Sequence, residues 1–267
     1  MVYREPRPRQ LGALRASCSL IGRTVRIATW NLNTWINRKN GISNDQLWEW
    51  AEEHLEADIV VFTEAATPPP KTILDAGWSV AHRPGGFPNR SNWGTLVAAR
   101  GMRVELLTQT KANHVLDRTF PGSLTAATVW DGTKPVMCVV GLYLPYRKDA
   151  KKDFIGHPTS DLASMKDDFE ALLDEFGPSI IVAGDLNVPY TRVPEPLNQL
   201  GFVDPFCKTS PTTYRQDWDH DGLYTMDYIY VTKGLKRHLD SAVGGIEDFP
   251  TAFDISDHAP LVVDLDL

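Results

Sequence analysis

Residues 180–187, Ile180-Ile181-Val182-Ala183-Gly184-Asp185-Leu186-Asn187, pass from four apolar residues straight into a glycine and two polar turn formers. The apolar part reads as a strand. The Gly-Asp-Leu-Asn behind it reads as the turn that leaves a carboxyl and an amide at that strand's end. The same arrangement recurs along the chain. Val25–Ile27 runs into Trp30-Asn31-Leu32-Asn33, Ile59–Phe62 into Thr63-Glu64-Ala65, and Val139–Leu142 into Tyr143-Leu144-Pro145. Met226-Asp227-Tyr228 and Ser256-Asp257-His258-Ala259-Pro260 follow toward the C-terminus. Taken singly, each of these has a plain turn-forming explanation; together they repeat one context. Strand ends that converge on one sheet edge bring such groups together from distant parts of a chain, on a scaffold rigid enough to hold them.

Outward from these motifs, strand-like runs fill the chain: Val25–Trp30, Asp58–Phe62, Gly94–Ala99, Leu124–Trp130, Val136–Leu144, Ser179–Ala183, Met226–Val231 and Pro260–Leu265. Two helices are predicted between them. Over Ser160–Phe176 the residues Leu162, Met165, Phe169, Leu172, Leu173 and Phe176 keep the three-and-four spacing of one helical face, with Ser160 placed as N-cap. The other, capped by Ser43 or Asn44, passes through Leu47, Trp48 and Leu55 and stops before the strand at Asp58. Thr67–Pro70 and Arg83–Asn92 read as loops. Helices interspersed among strands predict mixed α/β layers, with two central sheets as the economical solution. Periodicity leaves the strand order open.

The 267 residues suffice for a sizeable core, and 42% hydrophobic with 23% charged residues is the composition of a globular protein rather than a disordered or fibrous one. No repeat or linker divides the chain after residue 26. One domain, 25–267, is therefore expected behind an Arg-rich arm, 1–24. Residues 1–26 hold Arg4, Arg7, Arg9, Arg15, Arg23 and Arg26 against Glu5 alone, so this end carries +5 and the remainder −12 of the net −7. Such an acidic body repels nucleic acid at long range unless local basic loops or bound cations offset it. Part of the acidity suits metal ligands, whose charge a divalent ion would cancel. Cys18, Cys138 and Cys207 are odd in number and lack metal-type spacing, which reads as free thiols in a reducing compartment and hence a cytoplasmic protein. Leu11–Gly22 is broken by Arg15, and no run approaches the ~18 apolar residues of a membrane span, so neither a signal peptide nor a span is expected.

The residue types at the strand ends agree with one reaction. A hard divalent cation such as Mg²⁺ takes oxygen ligands, few of them from protein, and leaves positions for water and substrate phosphate. Glu64, with help from Asn31, Asn33 or Asp257, supplies that set. In-line attack of water on a phosphoester needs a group to orient and deprotonate the water, and donors for the growing negative charge. Asp185 suits the first task; Asn187 and a protonated His258 suit the second. An acidic partner such as Asp227 would fix the tautomer of His258 and raise its pKa.

In order, Trp30-Asn31-Leu32-Asn33, Thr63-Glu64, Tyr143-Leu144-Pro145, Gly184-Asp185-Leu186-Asn187, Met226-Asp227-Tyr228 and Ser256-Asp257-His258-Ala259-Pro260 resemble the endonuclease/exonuclease/phosphatase superfamily of DNase I-like and exonuclease III-like phosphoesterases. The resemblance covers nearly all of the chain beyond the arm. It implies an α/β fold, a four-layer α/β/β/α sandwich of two central mixed β-sheets flanked by helices, with the site at one end. It implies Glu64 as main metal ligand with Asn31, Asn33 and Asp257 nearby, and Asp185 aligning the water. Asn187, Tyr143 and His258 would contact the reacting phosphate, with Asp227 behind His258. The implied cofactor is Mg²⁺, with Mn²⁺ as substitute, as one ion or two. Tyr143 is similar to the exonuclease III branch, where pancreatic-type deoxyribonucleases tend to have histidine. That branch usually follows the proline with asparagine, and here Tyr146 follows Pro145.

For a nucleic-acid substrate the sequence offers Arg147, Lys148, Lys151 and Lys152 just after Pro145, diluted by Asp149 and Asp153. Arg90, Trp93 and Trp218 are candidates to grip a phosphate and stack on bases. No Lys/Arg-rich amphipathic helix points to a lipid surface. The expected order is nuclease first, phosphatase of a small metabolite or nucleotide second, phospholipid phosphodiesterase third. A non-catalytic binding protein on this scaffold would have lost one of the acids, and none is lost. No protein partner is implied.

Overall fold

The computed structural model describes residues 22–84, 93–116, 123–144, 162–188, 195–216 and 222–267. Two six-stranded sheets form the centre. The first has the order β13-β14-β1-β2-β4-β3, from β1 (Thr24–Asn31), β2 (Ile59–Ala66), β3 (Trp78–Pro84), β4 (Trp93–Arg100), β13 (Leu239–Gly244) and β14 (Leu261–Asp266). The second has the order β5-β6-β7-β8-β12-β9, from β5 (Arg103–Leu107), β6 (Leu124–Asp131), β7 (Lys134–Tyr143), β8 (Ile180–Asp185), β9 (Phe202–Val203) and β12 (Asp227–Thr232). A separate hairpin pairs β10 (Tyr214–Gln216) with β11 (Gly222–Tyr224). Both sheets are mixed: β1–β2 and β7–β8 are parallel, and the other pairs antiparallel.

Period-two patterning sorts the strand residues into layers. Val25, Ile27, Ile59, Val61, Val97, Val139, Ile181 and Ile229 meet between the sheets. On the outer face of the first sheet, Trp30, Phe62 and Leu96 pack against Leu47, Trp48, Ala51 and Leu55 of α2 (Asn44–Leu55). On the outer face of the second, Cys138, Val140, Ile180 and Tyr228 pack against Phe169 and Leu172 of α4 (Lys166–Phe176). The result is the four-layer sandwich expected from the sequence. Shorter helices α1 (Thr34–Lys39), α3 (Lys71–Asp75), α5 (Glu195–Gln199) and α6 (Lys233–Lys236) serve as connectors.

All eight strand-like runs are strands, with ends moved by a few residues. α2 starts where the sequence indicated: Ser43 is the N-cap in a capping box, its Oγ accepting from Gln46 N–H while the Gln46 side chain accepts from Ser43 N–H. The helix expected over 160–176 is regular only from Lys166, after a short helical turn at 162–164, and Ser160 lies outside the described residues. Arg83, expected in a loop, belongs to β3. Of the arm expected over 1–24, residues 1–21 lie outside the described residues, and Thr24 already opens β1. Edge strands β3 and β5 went unread because they are short and alternate weakly. They lie beside each other across the sandwich, where Ser79 accepts from Val104 N–H (2.8 Å), a side chain satisfying an edge group that no strand reaches.

At the far end of the first sheet, Arg26 and Asp264 are cross-strand partners. The guanidinium donates from Nε to Oδ1 (2.8 Å) and from Nη2 to Oδ2 (3.0 Å), and Ser241 Oγ donates to Oδ2 (2.7 Å), lacing β1, β14 and β13 together. These bonds, Arg26 foremost, hold the Asp264 carboxyl below the usual carboxylate range. A carboxyl lowered in the folded state adds stability above its unfolded pKa of about 4, and the contribution is lost as pH falls through the lowered folded value. With the Arg26 side chain 37% exposed, solvent screening trims the pair, leaving it worth about 1 kcal/mol. Asp264→Asn should therefore lower stability by about 1 kcal/mol in urea titrations at pH 7 and by much less near pH 3. An equal loss at both pH values would mean that packing, not charge, is at work.

Candidate functional site

Parallel pairing puts the C-terminal ends of β1 and β2 side by side, and likewise those of β7 and β8. β12, antiparallel to β8, begins where β8 ends, so Asp227 is the direct cross-strand partner of Asp185; on the other side of Asp185 stands Tyr143. The residue that would face inward between the sheets is thus replaced by a polar one at several strand ends at once.

Local structure fixes each group. In β2 a bulge falls between Phe62 and Ala65, and Glu64 sits there at φ 48°, a left-handed conformation unusual for a side chain of its size. Thr34 Oγ1 donates to its backbone carbonyl (2.5 Å). Gly184 has φ 143°, and a Cβ there would lie 1.9 Å from the Leu142 carbonyl oxygen, so only glycine lets β8 lie this close to β7 just before Asp185. Asn187 adopts φ 50°, which turns its backbone N–H onto Asp185 Oδ1 (2.8 Å) and its Nδ2 onto Asp185 Oδ2 (3.0 Å) and Leu144 O (2.8 Å).

At this end the two sheets are joined through side chains. Asn31, fully buried, donates from Nδ2 to Asp185 Oδ2 (2.9 Å) and to Glu64 Oε1 (3.3 Å), and Tyr143 Oη donates to the same Glu64 oxygen (3.0 Å). The C-terminal motif is clamped onto this group: Trp30 Nε1 donates to His258 O (2.8 Å), Ser256 Oγ to Asn31 O (2.9 Å), and His258 N–H to Ser256 Oγ (3.2 Å). His258 Nδ1 lies 2.7 Å from Asp227 Oδ2. Asp185, Asp227, Asn31 and His258 form a buried floor; Glu64, Asn187 and Asp257 stand at the more exposed rim.

Crowding of acids shapes the electrostatics. Burial first, then the charge of Asp227 and more weakly Glu64, push Asp185 up to about 8, against the pull of His258 and the Asn187 N–H. Loss of hydration also raises Glu64, aided by Asp257 and opposed by His258, Asn31 and Tyr143. For His258 burial disfavours the charged ring, but Asp227, with Asp257 and Asp185 behind it, wins and holds it up to about 10. The ring is therefore an imidazolium at neutral pH.

Two residues expected near a metal are otherwise engaged. Asn31 turns its N–H₂ end to the carboxylates, while its Oδ1 accepts from Asn33 N–H (2.9 Å). Asn33, at φ 39°, starts α1, its backbone carbonyl accepting from Ile36 and Asn37 N–H and its Oδ1 lying 3.4 Å from Ile36 N. Among the described residues, no three His, Cys, Asp or Glu side chains group as a closed metal site. Arg90, Arg147 and Trp218 lie outside the described residues; Trp93 opens β4, and its side chain is outside them too.

The segment Pro211–Arg215, which holds the backbone behind the floor, went unread in the sequence. Thr213 Oγ1 accepts from Met226 N–H (2.9 Å) and Asp227 N–H (3.0 Å), and its carbonyl accepts from Ala259 N–H (2.7 Å). Arg215 N–H donates to Asp257 O (3.0 Å), and the Tyr214 ring lies 4.8 Å from that of His258. Hydroxyl and backbone groups acting through other loops leave no periodic or compositional mark.

Residues 28–258 match the model of the endonuclease/exonuclease/phosphatase family. A comparison with curated protein sequences finds no significant match. Among solved structures, the chain is similar to an AP endonuclease from Archaeoglobus fulgidus (TM-score 0.66, 18% identity, 91% of this chain and 100% of that one). It is similar to a 3′ phosphatase, NExo, from Neisseria bound to product DNA hairpin (0.63, 16%, 91% and 100%) and to TDP2 from C. elegans (0.65, 13%, 92% and 76%). At these identities the likeness is one of fold.

If Asp227 holds the proton on His258, Asp227→Asn should bring the ring's titration down from about 10 to the ordinary range or below, read by imidazole NMR. A wild-type ring that already titrates near 6.5 would contradict the pairing.

Proposed function

We propose, from the premise that this chain belongs to the endonuclease/exonuclease/phosphatase family and is a hydrolase of phosphoester bonds, that it is a divalent-metal-dependent nuclease. The observation that carries the reading is the bridge through Asn31, which ties the rim acid Glu64 to the buried base Asp185 and so sets a cation site and a water-activating group in one rigid frame.

The donor set suits a hard cation. Glu64 and Asp257 offer carboxylate oxygens at the rim, and Asp257 Oδ1 is buried without a hydrogen-bond partner among the described residues. Burial first, and the neighbouring charge of Asp257 after it, raise the pKa of Glu64, and a cation there would offset both. Mg²⁺ keeps several waters and needs only one or two protein carboxylates, and among the described residues Glu64 and Asp257 are the carboxylates at the rim. We assign Glu64 and Asp257 as its ligands, with Asn31 orienting Glu64 rather than ligating. The bound ion would supply charge neutralisation at the phosphate.

The chain's own groups supply the rest. Asp185 at about 8 is a base matched to mildly alkaline pH, able to hold and deprotonate a water aimed at phosphorus. Asn187 Nδ2 and Asn31 Nδ2 fix its carboxylate, so that its orientation costs nothing at the moment of reaction. His258 faces the phosphate with the proton on Nε2 while Nδ1 is bound to Asp227. A fixed imidazolium of this kind stabilises charge developing on phosphate oxygens. Tyr143 Oη completes the donors beside Glu64.

Nucleic acid is favoured over small phosphomonoesters by the fold relatives, which include an AP endonuclease and a 3′ phosphatase bound to product DNA hairpin. We place the protein in a reducing, cytoplasmic setting, which suits the free thiols of Cys138 and Cys207. Among the described residues, no helix is long and apolar enough to cross a membrane.

Purified protein with Mg²⁺ should cleave DNA or RNA, or bis-p-nitrophenyl phosphate, in a screen that also holds abasic duplex and phosphomonoesters. Turnover of monoesters alone would replace nuclease by phosphatase. Glu64→Ala and Asp185→Ala should each reduce the rate by roughly 10²-fold or more, and EDTA should abolish it reversibly. Activity that survives thorough chelation would reject the metal. kcat/KM should rise with pH as Asp185 loses its proton and fall as His258 loses its own, both below the metal-free values of about 8 and about 10 because the bound cation disfavours the protonated forms. A flat profile across that range would reject both roles.

A further inference from the structure

We propose that Thr213, which the reaction scheme above does not use, is a positioning residue that sets the distance between Asp227 and His258. The inference rests on the reading of His258 as the phosphate-facing cation, and its geometry is independent of that reading.

β12 has a strand neighbour on both sides only at its C-terminal end: β9 pairs with Val231 and Thr232, and β8 covers Asp227 to Val231 from the other side. The first residues of β12 thus lack a partner on the β9 side. The Thr213 hydroxyl stands in for it, accepting from Met226 and Asp227 N–H at once. The residue is fully buried, so water cannot substitute. Its carbonyl accepts from Ala259 N–H, one residue beyond His258, at 2.7 Å, while its own N–H donates to Tyr224 O (2.9 Å).

One residue therefore grips the backbones on either side of the His258 Nδ1 to Asp227 Oδ2 contact, which spans 2.7 Å. Neighbouring bonds make the grip stiff. Thr225 Oγ1 donates to Pro211 O (2.6 Å), and Ile246 N–H to Thr212 O (2.9 Å). On the far side, Arg215 N–H holds Asp257 O and its Nη2 donates to Phe253 O (2.8 Å). Removing the hydroxyl frees the start of β12 from its tie through Thr213 to the Ala259 backbone, and the two partners drift relative to each other.

Thr213→Val keeps shape and β-propensity and removes the acceptor; Thr213→Ser keeps the acceptor and loses a methyl. The first readout is the downfield Nδ1–H proton of His258 by NMR, which a merely structural substitution elsewhere would leave in place. In the Val variant it should broaden or move upfield, and in the Ser variant it should stay. The second is steady-state kinetics on the substrate found in the screen: kcat should fall about 10- to 100-fold in the Val variant, with KM within about threefold, as for a misplaced group outside the binding surface. Ser should restore most of kcat. If the Val variant does not fold, Thr213→Cys, of similar size and with only a weak acceptor, carries the same comparison. An unchanged Nδ1–H signal in a folded acceptor-less variant overturns the proposal. A displaced signal with full kcat supports the grip and instead removes His258 from the reaction.

Discussion

Register in one strand pair places two carboxylates, Asp185 and Asp227, directly opposite each other at the strand ends of the second sheet. Like charges in such cross-strand positions repel, and here both are buried, which deprives them of water's screening. The rest of the site can be understood as what makes that juxtaposition tolerable. His258 brings a positive charge to Asp227, while Asn31 and Asn187 bring N–H groups to Asp185. Even so, Asp185 is held at about 8, by burial first and by the charge of Asp227 after it. On the proposed reading this shift is useful, because a carboxylate of ordinary pKa is too weak a base to take a proton from water near neutrality.

The fold delivers this arrangement by keeping one face of many strands in register. Along β1 the inward series is Val25, Ile27, Thr29, Asn31; along β7 it is Val139, Gly141, Tyr143; along β8 it is Ile181, Ala183, Asp185. Each begins apolar in the shared core and ends polar at the same end of the sandwich. A slip of one residue in any pair would send its polar terminus to the outer face and an apolar side chain into the site. The closely packed apolar half therefore specifies the geometry of the polar half. Gly184, which lets β8 approach β7 where no other residue fits, is the point at which packing and chemistry meet.

This logic explains what was legible in the sequence. Strands with long apolar runs and α2 with its Ser43 cap announce themselves, because burial on two faces or on one helical face forces a pattern. So did the acids, amides and His258, each following such a run. β3, β5 and β13 lie at sheet edges, where half the neighbours are missing and the pattern thins. The pairing of Asn31 with both Glu64 and Asp185, and the use of Asn33 to start α1, depend on side-chain direction across two sheets, which spacing does not encode. Thr213 is beyond reach for the same reason: its partners lie 11, 13, 14 and 46 positions away and are backbone groups.

Charge then links the site to its substrate. Glu64, Asp185, Asp227 and Asp257 gather around a single imidazolium, in a chain of net charge −7. A phosphoester adds further negative charge to a site already short of positive groups, and burial magnifies the mismatch. Nor does the described part of the site offer an arginine or lysine to Glu64 or Asp185: the groups that hold them are amides, a phenol and His258. Neutral donors can orient an anion but cannot cancel its charge, so on the proposed reading the positive charge that admits the substrate must be brought in from solution. A divalent ion at Glu64 and Asp257 meets that requirement at the rim, where hydration can still be exchanged, and leaves Asp185 on the floor free to act as a base.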